Sequence, residues 1–219
     1  MKTIVIDIGG TNVKIWSPDG TETVKCPSGK KLTPRHFVSE VKAVIKKWRF
    51  DRLSIGYAGH VVNGRPAADP VNLSPGWVAF SWSTAFDCPL RIINDACMQA
   101  LGSYEGGRML YLGLGTGLGT VFIIDGVIVP LALGHLHLGK GATINERVNR
   151  RGLQRLGLKR WKKAVIESGR SLKRAFFADY VVFGGGNATN LGTLPAGFRM
   201  GGNQNAYIGG LRIWDDVPK

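Results

Sequence analysis

Two aspartates in apolar surroundings are the residues best placed to do chemistry. Asp7 interrupts the run Ile4-Val5-Ile6-Asp7-Ile8 and is followed at once by Gly9-Gly10-Thr11-Asn12-Val13-Lys14. A carboxylate inside an apolar strand is costly without a partner, and Mg²⁺ or its bound water is a natural one. Gly9 and Gly10 can take positive φ and leave backbone N–H groups uncovered, so an anion can approach the main chain, and Thr11 and Asn12 add side-chain hydrogen-bond groups. The stretch reads as a phosphate site beside a carboxylate, although a plain hairpin turn also accounts for the two glycines. Asp95 closes the apolar run Leu90-Arg91-Ile92-Ile93-Asn94-Asp95 ahead of a helical pattern, where on its own it is a good N-cap.

Further glycine-rich stretches repeat the theme. Gly113-Leu114-Gly115-Thr116-Gly117-Leu118-Gly119-Thr120 joins two strand-like runs, Met109 to Leu112 and Val121 to Ile124. It fits neither GxxxxGK[ST] nor GxGxxG, because Leu118 stands where the latter needs glycine. Gly184-Gly185-Gly186-Asn187 follows the strand-like Tyr180 to Phe183 and would let a planar or phosphorylated ligand reach the backbone. His135 and His137 stand two apart and would share one face of a strand, but no neighbouring third ligand completes a metal site.

The elements that must position these residues follow from periodicity. The first strand turns back through Val13 to Trp16, Thr21 to Cys26 extends a third strand, and a helix follows Thr33 as N-cap with Pro34, Phe37, Val41, Val44, Ile45 and Trp48 at helical spacing. Leu53 to Tyr57 is a short strand, Asn63-Gly64 closes a hairpin, and Pro70 to Trp77 reads as a binding loop in which Trp77 could simply cover the core. Gly106-Gly107 separates two halves, and the second restarts the plan of strand, Gly/Thr turn, strand. A duplicated α/β unit is expected, divided as 1–106 and 107–219, with two phosphate-facing hairpins across a cleft. In the basic stretch, Ala164, Val165, Leu172, Ala175 and Phe176 form a candidate buried stripe, and 203–211 reads as a final helix whose small residues allow close packing.

The chain has 219 residues, 44% of them apolar, enough for one large domain or two small ones. Its longest apolar runs fall short of a membrane span, and its start passes into a strand rather than a signal peptide, so a soluble cytoplasmic protein is expected. Cys26, Cys88 and Cys97 show no CxxC spacing and read as reduced thiols. The net charge of +14 points to a polyanionic partner, and between Lys140 and Arg174 twelve basic residues meet only Glu146 and Glu167, a run that reads either as a solvated helix surface or as a site for nucleic acid, polyphosphate or another polyanion. That stretch holds one aromatic, Trp161, and no nucleic-acid module, which argues against nucleic acid.

Taken together, the motifs resemble those of the ROK family of sugar kinases in the actin-like ATPase superfamily, and within it the polyphosphate glucokinase branch. Asp7 to Lys14 is similar to the first phosphate motif, Gly113 to Gly119 to the second, Val182 to Gly186 to the nucleotide-side glycine motif, Ile93 to Ala96 to the catalytic motif, and Leu133 to Leu136 to the sugar-loop motif. The resemblance implies an actin-like, ribonuclease H-like duplicated fold. It also implies a kinase in which Asp95 accepts the proton of a hexose hydroxyl while Asn72, Asn94 and His135 hold the sugar. Gly9, Gly10, Thr11, Asn12, Lys14, Gly115, Thr116, Gly117, Gly184 and Gly185 would face the phosphates or nucleotide, and Asp7 would position Mg²⁺ through water. The implied donor is ATP or polyphosphate, with no zinc; no membrane partner is expected, nucleic-acid binding through Lys140 to Arg174 is the weaker third reading, and a homodimer is compatible with these. Two positions depart from the pattern: Ala132 stands where a glutamate grips sugar hydroxyls, and His137 where the polyphosphate branch has another. A charged hydrogen bond of that kind is worth about 1.5–3 kcal/mol, so a non-catalytic nucleotide- or polyanion-binding protein is the alternative.

Overall fold

The structure is a computed structural model and describes residues 1–138, 141–202 and 204–215. Two compact units emerge, one of residues 1–102 with 204–215, the other within 103–202.

The first unit is built on β1 (Thr3–Ile8), whose six residues are all buried. β2 (Asn12–Trp16) and β3 (Thr23–Pro27) continue it as an antiparallel meander. After α1 (Pro34–Ile45), β4 (Arg52–Tyr57) pairs parallel to β1. The short hairpin β5 (Val61–Val62) and β6 (Arg65–Pro66) turns through Asn63 and Gly64 at φ of 49° and 72°. β7 (Leu90–Asn94) completes a sheet of order β3-β2-β1-β4-β7 and leads into α2 (Asp95–Ser103). Thr33 caps α1 by accepting the His36 N–H, as its sequence predicts. The amphipathic spacing buries Phe37, Val41 and Ile45. Trp77 is fully buried between Phe37, Tyr57 and Trp82 with ring centroids 5.6, 5.8 and 6.0 Å away, so it belongs to the core. β3 starts two residues later than expected, because the Asp19 carboxylate accepts from the Ser17 and Thr21 hydroxyls and the Thr21 N–H and holds that stretch in a turn.

The second unit repeats this topology. β8 (Arg108–Leu114), β9 (Leu118–Ile124) and β10 (Val127–Leu131) form the meander. α3 (Ile144–Val148) and α4 (Arg150–Ala175) follow, then β11 (Tyr180–Gly184) parallel to β8, and β12 (Phe198–Met200), which the sequence pattern did not signal. The order β10-β9-β8-β11-β12 matches the first sheet strand for strand. α4 is kinked at Gly157, which has φ 72°. Trp161 is buried with its indole N–H on the Val148 carbonyl at 2.8 Å, beside buried Ala164, Val165 and Leu172. Ala175, expected in that stripe, is exposed, and Phe176 is half-buried.

The last helix, α5 (Asn205–Arg212), packs in the first unit rather than with the 107–219 span in which it was expected; the expected start at Asn203 lies outside the described residues. The cause is its small-residue face. A Cβ on Gly209 would run into the Met98 carbonyl, one on Gly210 into the Val5 side chain, and one on Gly102 into the Asn205 carbonyl. The Ser54 hydroxyl donates to the Gly210 carbonyl at 2.5 Å and accepts the Trp214 indole N–H at 2.8 Å. Gly209→Ala should lower the unfolding free energy by about 2 kcal/mol through overpacking against backbone. A denaturant titration checks this, with Gly186→Ala, where a Cβ meets nothing within 4 Å, as the unchanged control.

Candidate active site

In the first unit, Asp7 lies near the end of β1, opposite Lys14 on β2 and Gly56 on β4. It is 6% exposed, and its Oδ1 is buried without a hydrogen-bond partner. Burial raises its pKa to about 6, with Lys14 pulling the other way. A Cβ at Gly56 would sit 3.4 Å from that oxygen and strike the end of Met98, so β4 is shaped to leave the carboxylate room.

The turn after Asp7 is closed by Gly9 N–H on the Asn12 carbonyl (3.0 Å), Ser28 N–H on the Thr11 carbonyl (3.0 Å) and the Ser28 hydroxyl on the Gly9 carbonyl (2.5 Å). Gly9 and Gly10 are not among the glycines at positive φ, contrary to the expectation from their sequence. They are needed for close approach: a Cβ at Gly9 would lie 3.0 Å from the Asn12 carbonyl oxygen, and one at Gly10 3.3 Å from the Asn72 side chain. Asn72 therefore sits against the turn, while Gly10, Thr11 and Asn12 are exposed.

Asp95 is half-buried and opens α2. The capping role open to it falls to Asn94, whose Oδ1 accepts the Cys97 N–H (3.1 Å) and whose Nδ2 donates to the Gly59 carbonyl (3.0 Å) and to Asp95 Oδ1 (3.1 Å). The Ala96 N–H also donates to that oxygen (2.8 Å). Burial, and then the charge of Asp7, raise the Asp95 pKa to about 7 against these bonds. A carboxyl poised there exchanges protons near neutral pH, as a general base requires.

In the second unit, the Gly115–Gly117 turn is closed by Gly115 N–H on the Gly117 carbonyl (3.1 Å), with Thr116 and Gly117 exposed. Asn145 Oδ1 accepts the Leu118 N–H (2.9 Å), and the Arg150 N–H at the start of α4 donates to the Gly115 carbonyl (2.9 Å). Gly185, at φ 78°, packs so close to β8 that a Cβ would lie 2.6 Å from the Leu114 carbonyl oxygen, and a Cβ on Gly184 would strike the Tyr111 ring. Asn187 donates its N–H to the Leu114 carbonyl (2.9 Å) and its Nδ2 to the Gly115 carbonyl (3.4 Å). The second and third glycine motifs thus meet at one end of β8. Gly134 packs on Asn145, where a Cβ would be 3.1 Å from the Asn145 Cβ. Asn187 belongs to the glycine loop singled out in the sequence, whereas Asn145 was missed, although the Thr143-x-x-Glu146 capping box that starts α3 marks it.

The two histidines do not share a strand face. His135 ends a 3-10 turn (Leu133–His135) and is exposed, and His137 Nδ1 lies 2.6 Å from the Gly141 carbonyl oxygen. Among the described residues no group of three or more His, Cys, Asp or Glu is placed to hold a metal ion. Asp7, a single buried carboxyl whose Oδ1 lacks a hydrogen-bond partner, is chemically compatible with a hard cation such as Mg²⁺, which would need its other ligands from elsewhere.

The duplicated sheets and the glycine turns on each have the architecture of the actin-like ATPase fold as found in ROK-family sugar kinases. The inorganic polyphosphate/ATP-glucomannokinase of Arthrobacter sp. strain KM superposes with a TM-score of 0.80 at 22% identity, over 95% of this chain and 96% of that one. A ROK-family glucokinase from Streptomyces griseus, solved with glucose and AMPPNP, gives 0.73 at 16% identity, over 97% and 98%. In sequence, the polyphosphate glucokinase of Mycobacterium tuberculosis is 26% identical over 206 residues, 83% of this chain and 76% of that protein. No protein-family model matches the chain.

A carboxyl with a raised folded-state pKa holds its proton more tightly folded than unfolded, so it stabilises most below the unfolded pKa, and that contribution is lost as pH rises through the folded value. For Asp7 the window runs from 3.8 to about 6. The unfolding free energy of wild type relative to Asp7→Asn should therefore fall by about 2 kcal/mol between pH 4 and pH 8. Paired denaturant titrations read this directly; a difference that stays flat or rises would remove the burial penalty on Asp7.

Proposed function

We propose that the chain is a hexokinase of the glucokinase type, transferring a phosphoryl group from ATP or polyphosphate to a sugar hydroxyl. The observation that carries this reading is Asp95: a half-buried carboxyl opening a helix, with its pKa raised to about 7 and its orientation set by Asn94. The similarity to the polyphosphate glucokinase of Mycobacterium tuberculosis supports catalysis over a role confined to binding nucleotide or polyanion.

In this reading the ionised Asp95 accepts the proton of the sugar hydroxyl as its oxygen attacks the terminal phosphorus, and the leaving group is ADP or a shortened polyphosphate. Asn72, Asn94 and His135 hold the sugar. The backbone of Gly9 to Asn12 with Lys14, the Gly115–Gly117 turn and Gly184-Gly185 hold the donor. Mg²⁺ at Asp7 would offset the charge on the transferred group. The free thiols of Cys26, Cys88 and Cys97 suit a cytoplasmic setting, and among the described residues no helix is long and apolar enough to cross a membrane.

Assays pairing glucose and other hexoses with ATP or polyphosphate test the reading. The kcat/KM of wild type should climb as pH approaches about 7 from below and level off above it, since the base form is the ionised one. Asp95→Asn should lower kcat by about 10²–10⁴-fold with nucleotide affinity retained. A wild type that binds nucleotide yet turns over no pair would sink the proposal, and an active Asn variant would take the base role from Asp95.

A further inference from the structure

The second unit carries a cationic feature that the chemistry above leaves unused. α4 starts at the phosphate turn, through the Arg150 N–H on the Gly115 carbonyl at 2.9 Å. It ends at an open depression of about 580 Å³ lined by Arg108, Arg170, Lys173, Arg174 and Phe177. Between these points lie 26 residues broken by the kink at Gly157, the last 18 of them about 27 Å of helix. Residues 150–175 contain ten Lys and Arg against one acid, Glu167. Lys159, Lys163, Arg170 and Arg174 recur at intervals of four, seven and four, which places them on one side of the helix beyond its kink.

The available acids do not neutralise this surface. Glu167 is shared between Lys163 (3.8 Å) and Arg147 (3.9 Å), and Asp179 is held by Arg108 at 2.7 Å, with Lys173 adding to the field on it. Among the described residues, Arg170, Lys173 and Arg174 have no carboxylate within ion-pair distance. So many like charges on one element repel one another, and an extended polyanion relieves that repulsion. Base stacking has little to work with: Trp161 is buried, and Phe177, 74% exposed, is the one aromatic standing free at the depression. That favours a bare phosphate chain over single-stranded nucleic acid, which binds through successive stacking platforms.

We propose that the outer face of α4 and the depression at its end form a binding track for the distal part of a linear polyphosphate whose reacting end occupies the Gly115–Gly117 turn. The inference rests on the polyphosphate-donor reading above. The double variant Arg170→Ala/Arg174→Ala should raise KM for long-chain polyphosphate about tenfold, leaving kcat unchanged and KM for ATP and for tripolyphosphate, which cannot reach the depression, within error of wild type. Arg35→Ala/Arg65→Ala, the same charge change on exposed residues of the first unit, should leave all three values alone. Equal losses for short and long chains, or an equal loss in the control pair, would overturn the track. Fluorescence anisotropy with labelled long-chain polyphosphate separates this failure from failure of the donor reading. Binding that weakens in the Arg170/Arg174 variant, in a protein that uses only ATP, keeps the track and retires polyphosphate as donor. No polyphosphate binding, or a variant defect seen for single-stranded RNA alone, overturns the track itself.

Discussion

The candidate site of the first unit is constrained by one unfavourable placement, the carboxylate of Asp7 inside a strand buried along its whole length. Burying a carboxylate costs several kcal/mol unless it is paired, ligated or protonated. The surroundings compensate in part: Lys14 faces it on β2, and Gly56 on β4 removes the side chain that would crowd it. Neither supplies a hydrogen bond to Oδ1, and the cost remains visible as a raised pKa. Residual cost of this kind persists at a position that serves something other than stability.

The charge on Asp7 also explains the second aspartate. Asp95 accepts two hydrogen bonds that would hold a carboxylate low, yet burial and the negative field of Asp7 outweigh them. The identity of the helix cap matters here. Because Asn94 takes the capping bond from Cys97, Asp95 is not tied into the backbone of α2 through that contact. Asparagine, being neutral, can cap without adding a third negative charge to the pair.

Much of this was legible in the sequence because its signals are local. The Thr33-Pro34 start of α1, the Asn63-Gly64 turn and the strand, glycine turn, strand repeat each depend on a few adjacent residues, and each appears where it was expected. What was not legible depends on distant partners. Gly9 and Gly10 are glycines because Asn12 and Asn72 crowd them, which no turn rule reveals. β12 is only three residues long and is a strand because β11 offers it an edge. α5 carries small residues whose partners, Val5 and Met98, lie more than a hundred positions away. Asn145 reads as an ordinary polar residue, and Asn187 as no more than the end of its glycine loop, until β8 brings the Gly115 turn to them.

The two units share a topology yet divide the electrostatics between them. The first holds the carboxyls whose pKa values are pushed toward neutrality, the second the long basic helix whose first N–H meets a glycine turn. Each unit by itself carries one of the two properties that the proposed reaction needs, groups able to take up a proton in the first and a surface tolerant of negative charge in the second. The departures at Ala132 and His137 point the same way. Both lie in the second unit, and each puts a residue without negative charge where a carboxylate would have lowered the local potential. A sugar-loop site loses grip on hydroxyls by that change, and the second unit, already rich in cations, is left with two fewer carboxylates than the family pattern would give it.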